Sequence, residues 1–166
     1  MKPHDMTICL WYNDQAEEAA NYYASIFPNV EIGQITRFGT EGFEHHGKQE
    51  GTVMTVSFTL NRMNFIALNG GPQFGFTEAV SFVVNCETQE EIDYYWTSLS
   101  KDGEEQPCGW LKDKFGVSWQ IVPSVLGELM NHKDAAKAKR VMQAMFRMKK
   151  LDIGVLQQAC DDESAQ

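Results

Sequence analysis

The sequence predicts an α+β fold built from two copies of a βαβββ unit and followed by a helical tail. Three observations lead to this prediction. Residues 7–26 and 79–98 resemble each other without a gap, and each segment passes from an apolar run into an acidic helix start. Strand-like runs follow each segment, and the pattern turns helical from about residue 124 onward.

Each copy of the repeat predicts a strand followed by a helix. Thr88 and Glu91 have the spacing of a capping box, and Asp14 with Glu17 offers the same reach with a carboxylate cap. We therefore expect Trp96 in the core, because it belongs to an apolar stripe at helical spacing. The members of this stripe are Ile92, Tyr95, Trp96 and Leu99.

Runs rich in β-branched and aromatic residues follow both helices. Asn61 and Arg62 predict a tight turn between two strands, residues 39–51 predict a long polar loop, and residues 69–76 connect the halves. The predicted strands are 30–38, 51–60 and 63–69 in the first half and 105–113 and 117–123 in the second.

The C-terminal segment predicts helices that pack within the subunit or on a partner. Its apolar stripe is rich in methionine, and Asp152 could cap a last short helix. The stripe consists of Val141, Met142, Met145 and Met148. The predicted organisation is a single domain, 1–166, with one module at about 5–70, a second at about 77–123 and the tail at about 124–160.

Composition excludes several classes of protein. A formal net charge of −9 disfavours binding to nucleic acid. Four cysteines without CxxC spacing argue against a zinc cluster or a disulfide scaffold and fit a reducing cytoplasm. The chain has no apolar run long enough to span a membrane and no recognisable export signal at its start, so we expect a cytoplasmic protein without a membrane partner.

The chain resembles the vicinal oxygen chelate superfamily, which includes glyoxalases, bleomycin-resistance proteins and extradiol dioxygenases. Within it the sequence looks like the PhnB-like branch, whose members often carry the label 3-demethylubiquinone-9 3-methyltransferase. The resemblance implies that each half curls into an open half-barrel, that the strands form a curved mixed sheet, and that the halves enclose a small-molecule cleft. The stretches that carry it are 65–76, 91–99, 108–123 and 137–159.

The resemblance also locates the positions where metal-dependent members hold their ion. Here they read Thr7, Ala67, Gln120 and Ala79, the last becoming Val80 or Ser81 if the register slips. A divalent ion prefers imidazole or carboxylate ligands, so we expect no metal cofactor. A loop with Glu44, His45 and His46 could still supply ligands, although such surface histidines are more often solvated.

The predicted cleft is small and neutral and suits an uncharged or modestly polar aromatic compound. Strand alternation places its lining in three groups, with Trp110 free to close one end or simply to pack. The groups are Thr7, Cys9 and Trp11; Ala67 and Asn69; and Ser118, Gln120 and Val122.

Four further residues are expected to be structural. Trp119 should lie buried under a helix, on the opposite face from Gln120. We expect Cys9 and Cys108 to be buried, inert thiols, because no partner that would lower a thiol pKa is evident. Asp113 is expected to hydrogen-bond or to be solvated rather than to act as a general base.

The sequence leaves three kinds of function open. The first is metal-free binding or sequestration of a small organic molecule, and the second is an enzyme of the glyoxalase or dioxygenase type. A methyltransferase lacks support, because no glycine-rich turn for S-adenosylmethionine follows a strand. The third is a protein–protein interaction module that uses the methionine-rich tail, which also suits a homodimer.

Overall fold

The computed structural model describes residues 6–162. Residues 1–5 and 163–166, which the predicted domain includes, lie outside the described residues. The chain divides into two compact units, Met1–Phe76 and Thr77–Gln166, and the division falls at the end of the predicted connector. We call them the first and the second module.

The first module folds into a four-stranded sheet with one helix packed on it. The strand order is β1-β4-β3-β2, with β1 parallel to β4 and the other pairs antiparallel. The predicted loop 39–51 contains one extra turn of helix, α2. The elements are β1 (Thr7–Tyr12), α1 (Ala16–Ile26), β2 (Val30–Arg37), α2 (Phe43–His46), β3 (Val53–Leu60) and β4 (Met63–Asn69).

The second module repeats this arrangement with the strand order β5-β8-β7-β6. Again the first strand is parallel to the last, and the remaining pairs are antiparallel. The predicted strand 105–113 is split into β6 and β7. The elements are β5 (Phe82–Cys86), α3 (Gln89–Ser100), β6 (Glu104–Glu105), β7 (Trp110–Lys112), β8 (Ser118–Pro123), α4 (Leu126–Met130), α5 (Ala135–Met145) and α6 (Ile153–Asp161).

The shared strand order confirms the predicted α+β fold of two βαβββ modules. The strands form two four-stranded mixed sheets. The gapless alignment of the helices, however, is wrong by one residue. Tyr23, which is 1% exposed, corresponds to Trp96, which is 4% exposed, whereas Tyr95 is half-buried. We therefore pair Tyr23 with Trp96, because in each helix this is the position at which a large aromatic ring is buried on the side that faces the sheet. Trp96 is a core residue, as predicted.

The two helices begin in different ways. The Thr88 side chain accepts a hydrogen bond from the backbone N–H of Glu91, as the capping-box prediction requires. The predicted Asp14 cap is wrong, because Gln15 occupies the cap position and makes no side-chain cap bond. Instead, Asn69 Oδ1 at the end of β4 accepts from the backbone N–H of Ala16 at 2.8 Å. A distant residue therefore caps α1.

The hairpin turns differ as well. Asn61 and Arg62 form the predicted tight turn between β3 and β4, with φ angles of 47° and 68°. Two successive positive φ angles match the twist of a two-residue hairpin. Between β7 and β8 the turn is longer, and the Asp113 carboxylate organises it: Oδ1 accepts from the N–H groups of Phe115 and Val117 at 2.9 and 3.0 Å.

The C-terminal helices pack within the second module. Their core joins Leu126, Val141, Leu151, Leu156 and Cys160, with Met145 and Met148 packed against it. Met142 departs from the predicted stripe, since it is 40% exposed.

The tail also hydrogen-bonds to the turn before β7. Cys108 N donates to Met148 O at 2.8 Å, and Gly109 N donates to Lys149 O at 2.7 Å. Gly109 has a φ of 83°, and a Cβ there would lie 2.7 Å from Ile121 O. Glycine is required at this position. The predicted Asp152 cap is confirmed, since its side chain accepts from Val155 N.

Candidate functional site

Each sheet has one face covered by its own helix and one face turned away from it, which we call the distal face. In the first sheet the β1 residues Thr7, Cys9 and Trp11 alternate with buried Leu10 and Tyr12 and so lie on the distal face. The structure thus places these three predicted residues on one face of the sheet.

Ala67 and Asn69 do not lie on that face, so their predicted position on the same face as Thr7, Cys9 and Trp11 is wrong. The parallel register sets Leu10 opposite Ala67 and Tyr12 opposite Asn69, and paired residues of neighbouring strands point to the same side of a sheet. Both residues therefore lie on the helix face. Ala67 is 0% exposed and Asn69 5% exposed.

Asn64, Ile66 and Leu68 take their place on the distal face, opposite Thr7, Cys9 and Trp11. A shallow groove of about 370 Å³ runs over this part of the sheet. It is mostly neutral, with one carboxylate at its edge. Its lining includes Thr7, Glu31, Gly33, Ser57, Thr59, Asn64 and Ile66.

A larger pocket, which we call the terminal pocket, lies where β1, β2 and β4 end and β3 begins. Its volume is about 560 Å³. Trp11, Phe38, Met54 and Leu68 contribute apolar lining to it. The polar residues around it are Asn69, Gln73, His45, His46 and Lys48.

Trp11 is held in a fixed position by the segment that follows β4. Its indole Nε1 donates to Gly71 O at 2.8 Å, and its ring meets Phe74 edge-on with 5.0 Å between centroids. A Cβ on Gly70 would lie 2.1 Å from the indole, so glycine is required there. The Asn69-Gly70-Gly71 segment therefore fixes the position of the Trp11 side chain.

The His45–His46 loop borders the same pocket, but its two imidazoles differ. His46 lies over Phe38 with 4.6 Å between centroids. Lys48 N donates to its Nδ1 at 2.9 Å, and its Nε2 lies 3.1 Å from Glu41 O. Nδ1 therefore accepts a hydrogen bond, and both ring nitrogens are occupied by backbone groups. The exposed His45 pairs with Glu44 at 3.3 Å.

Sequence reasoning identified Trp11 and the histidine pair but missed Phe38, Met54, Lys48 and Gln73. Phe38 directly follows β2, and Lys48 lies in the loop that leads to β3. Because β2 and β3 are antiparallel neighbours, such a loop returns to the end of the sheet where β1 and β4 finish. That topology is the signal that could have located them.

The distal face of the second sheet carries a hydrogen bond between two side chains. Gln120 pairs with Trp110 on one side and Val83 on the other, and its Nε2 donates to Ser81 Oγ at 2.8 Å. Trp110 and Gln120 are half-buried. Ser118 lies on the same face but is only 1% exposed, and its Oγ has no hydrogen-bond partner among the described residues.

An ion pair extends this polar surface. Lys112, which pairs with Ser118 across the strands, places Nζ 2.6 Å from Glu78 Oε1. Hydrogen bonds from Lys112 and, to a lesser extent, from Gln106 lower the pKa of Glu78 to about 2. The pKa of Lys112 is raised by the same contact. Both groups are therefore charged at neutral pH.

Asp113 and Trp119 are structural. Asp113 is 2% exposed, and its Oδ2 accepts from Trp119 Nε1 at 2.9 Å in addition to the two backbone bonds of the turn. Trp119 is 3% exposed and lies on the opposite face from Gln120, as predicted. The carboxylate has a hydrogen-bonding role, which was the favoured expectation.

The cysteines differ in burial more than expected. Cys9 is exposed on the distal face of the first sheet, so its predicted burial is wrong, and Cys108 is half-buried. Burial raises the pKa of the Cys86 thiol to about 11, and the charges of Glu91 and Glu87 contribute less. Cys86 is thus protonated at neutral pH, when a thiol is a weak nucleophile.

The donor set at the family's metal positions does not fit a divalent ion. Tyr12 pairs with Asn69 at the end of the first sheet, as Cys86 pairs with Pro123 in the second. The four positions therefore read Thr7, Ile66, Ser81 and Gln120, with no imidazole and no carboxylate. Within residues 6–162, no three His, Cys, Asp or Glu side chains form a group that could hold a metal ion.

A family model described as 3-demethylubiquinone-9 3-methyltransferase matches residues 4–122. The chain belongs to this family. It is a member of the PhnB-like branch of the vicinal oxygen chelate superfamily, as the sequence stretches suggested. The matched range ends before the C-terminal helices, so it does not include the 137–159 stretch.

Solved structures support this assignment. A Bacillus cereus PhnB protein, described as a candidate 3-demethylubiquinone-9 3-methyltransferase, is 38% identical, with a TM-score of 0.64, over 73% of this chain and 100% of that chain. A Pseudomonas aeruginosa protein shares the fold at 17% identity, with a TM-score of 0.58, over 73% of this chain and 98% of that chain. No curated protein matches the PhnB-like chain.

S-adenosylmethionine, which the family description implies, does not fit the glycine-rich segment of this PhnB-like protein. In methyltransferase-type and dinucleotide sites, such a turn follows a parallel strand and opens a helix. Here Gly70 and Gly71 contact the Trp11 indole, and the next element is strand β5.

Among residues 6–162, none of the helices has the length and apolar composition that a bilayer crossing requires.

Proposed function

We propose that this PhnB-like protein binds or sequesters a small, largely apolar organic molecule without a metal ion, in the terminal pocket of the first module. The observation that carries the proposal is the pocket of about 560 Å³ lined by Trp11, Phe38, Met54 and Leu68. Aromatic and aliphatic side chains with a few polar groups are typical of small-molecule sites.

The fixed orientation of Trp11 supports this proposal. Its indole nitrogen is already bonded to Gly71 O, and Phe74 supports the ring. A ring that is held before the ligand arrives loses little conformational entropy on binding. A planar ligand would stack on it or meet it edge-on.

The donor set supports the metal-free part of the proposal. The four family positions offer hydroxyl, amide and alkyl groups, and both ring nitrogens of His46 are bonded to backbone groups. Val141, Met145 and Met148 of the tail stripe pack inside the second module, and their burial gives no support to a docking role. A homodimer and a cytoplasmic location stay predictions.

Isothermal titration with naphthalene-1-carboxamide, a neutral bicyclic probe, tests the site. We expect measurable binding to the wild type and a loss of about tenfold in Trp11→Ala and in Leu68→Ala, because each removes apolar contact area worth roughly 1–2 kcal/mol. Phe146→Ala is the matched control, since it removes a ring that is 64% exposed in the tail.

Three results would overturn the proposal. The first is wild-type protein that does not bind the probe, and the second is both pocket variants binding it as well as wild type. The third concerns the metal: protein purified without chelators should contain far less than one divalent ion per chain by elemental analysis, and stoichiometric zinc, nickel or manganese would contradict the metal-free part of the proposal.

A further inference from the structure

The charge around the terminal pocket differs from that of the whole chain. The formal net charge is −9, yet among the described residues that line this pocket none is Asp or Glu. Lys48, which is half-buried, is one of its lining residues. A local positive charge in an acidic protein indicates a ligand whose charge it can match.

Lys48 is held in place by two contacts. Its backbone N–H donates to His46 Nδ1 at 2.9 Å, and its Nζ donates to Asn13 O at 3.0 Å. Asn13 O is a neutral acceptor, and an ammonium group has three N–H donors. That bond uses one donor, so two N–H donors and the positive charge of Lys48, a lining residue of the terminal pocket, are not taken up by it.

Two carboxylates limit how strong this attraction can be. Asp14 and Glu17 line a neighbouring pocket of about 510 Å³, which Lys48 also lines. Neither lines the terminal pocket. They partly compensate the charge of the ammonium, so we expect a moderate preference for an anion rather than a strong one.

We infer that the ligand of the terminal pocket is a planar aromatic molecule with one anionic group, such as a carboxylate. The ring lies against Trp11 and Leu68, and the anionic group accepts a hydrogen bond from Lys48 Nζ. Such a bond is shorter and stronger than a bond between neutral groups. This inference rests on the proposed function and specifies the ligand class for the same site.

The test compares two probes of nearly equal shape, naphthalene-1-carboxylate and naphthalene-1-carboxamide, by isothermal titration at neutral pH. We expect wild type to bind the acid about fivefold more tightly than the amide, the effect of one partly exposed ion pair. Lys48→Met should abolish this preference without changing amide binding, and Lys48→Arg should retain it. High salt should reduce it.

Lys101→Met is the matched control, because it makes the same change in net charge at an exposed position of the second module. It should keep the preference for the acid. Equal affinity for both probes in wild type, or an unchanged preference in Lys48→Met, overturns the inference while binding at the pocket stands. Failure of wild type to bind the amide overturns the proposed function and the inference together.

Discussion

The two modules share strand order and pairing but stabilise equivalent positions in different ways. In the first module a distant side chain, Asn69, caps the helix, and two positive φ angles make the hairpin turn. In the second module the adjacent Thr88 caps the helix, and a buried carboxylate, Asp113, makes the turn. Conserved topology therefore does not require conserved local chemistry: each backbone donor needs a partner, but the partner can come from anywhere within reach.

The distal faces of the two sheets also differ in the side chains that they carry. The Cys9–Ile66 pair of the first sheet is equivalent to the Val83–Gln120 pair of the second. The first face leads to a pocket with aromatic and aliphatic lining, whereas the second carries the Gln120–Ser81 hydrogen bond and the Lys112–Glu78 ion pair. The two modules thus share one backbone arrangement but carry chemically different surfaces.

The largest expected effect concerns the turns. Asp113→Ala should lower the free energy of unfolding by about 3 kcal/mol, because it leaves buried donors of Val117 and Trp119 without an acceptor. Asp113→Asn should cost less, since one oxygen still accepts. In the first module Asn61→Gly should stay within about 0.5 kcal/mol of wild type, because glycine adopts a positive φ freely. Urea denaturation measures all three, and a loss below about 1 kcal/mol in Asp113→Ala would contradict the role of this carboxylate.

The helix caps should show an intermediate effect. Asn69→Ala removes the bond to Ala16 N and also the bond that Asn69 Nδ2 donates to Val53 O, so we expect a loss of about 2 kcal/mol. Thr88→Ala removes one exposed cap and should cost about 1 kcal/mol. Gln15→Ala is the control, because this residue makes no cap bond. If Gln15→Ala costs as much as Asn69→Ala in urea denaturation, α1 is capped locally and the comparison fails.

The smallest effect concerns the ion pair of the second module. The folded-state pKa of Glu78 is lowered from 4.5 to about 2, so its stabilising contribution is complete above pH 4.5 and is lost as the pH falls towards 2. Glu78→Gln should therefore lower the melting temperature at pH 7 slightly and show a smaller further decrease on acidification to pH 3. Glu50→Gln, an exposed glutamate of the first module, should behave like wild type. Equal acid sensitivity of Glu78→Gln and wild type would show that the pair contributes nothing.

Sequence patterns predicted the elements well where local signals sufficed. The capping box at Thr88, the cap at Asp152 and the turn at Asn61 and Arg62 depend on residues a few positions apart, and all three are confirmed. The prediction for Asp14 was wrong, because Asn69, far along the chain, satisfies the same helix start. Local sequence patterns cannot show which acceptor from a distant part of the chain hydrogen-bonds to the N–H groups at a helix start.

The site was predicted less completely than the fold. Trp11, Cys9 and Thr7 share a face as expected, since alternation along one strand follows from its period of two. Ala67 and Asn69 were assigned to the wrong face, because the parity between two strands depends on their register and a slip of one residue reverses it. Lys48 and Phe38 were not predicted as site residues, because no local sequence pattern connects a loop lysine with the end of a strand.

The sequence by itself determined the duplicated strand–helix organisation and the family, because these follow from periodicity and residue identity. Tertiary structure alone decided which of Ile66 and Ala67 faces away from the helix, that Gly70 and Gly71 enclose Trp11, and that Lys48 borders a pocket without carboxylates. The reason is physical: side-chain identity is local, whereas strand register and loop return are set by packing between residues far apart in the chain.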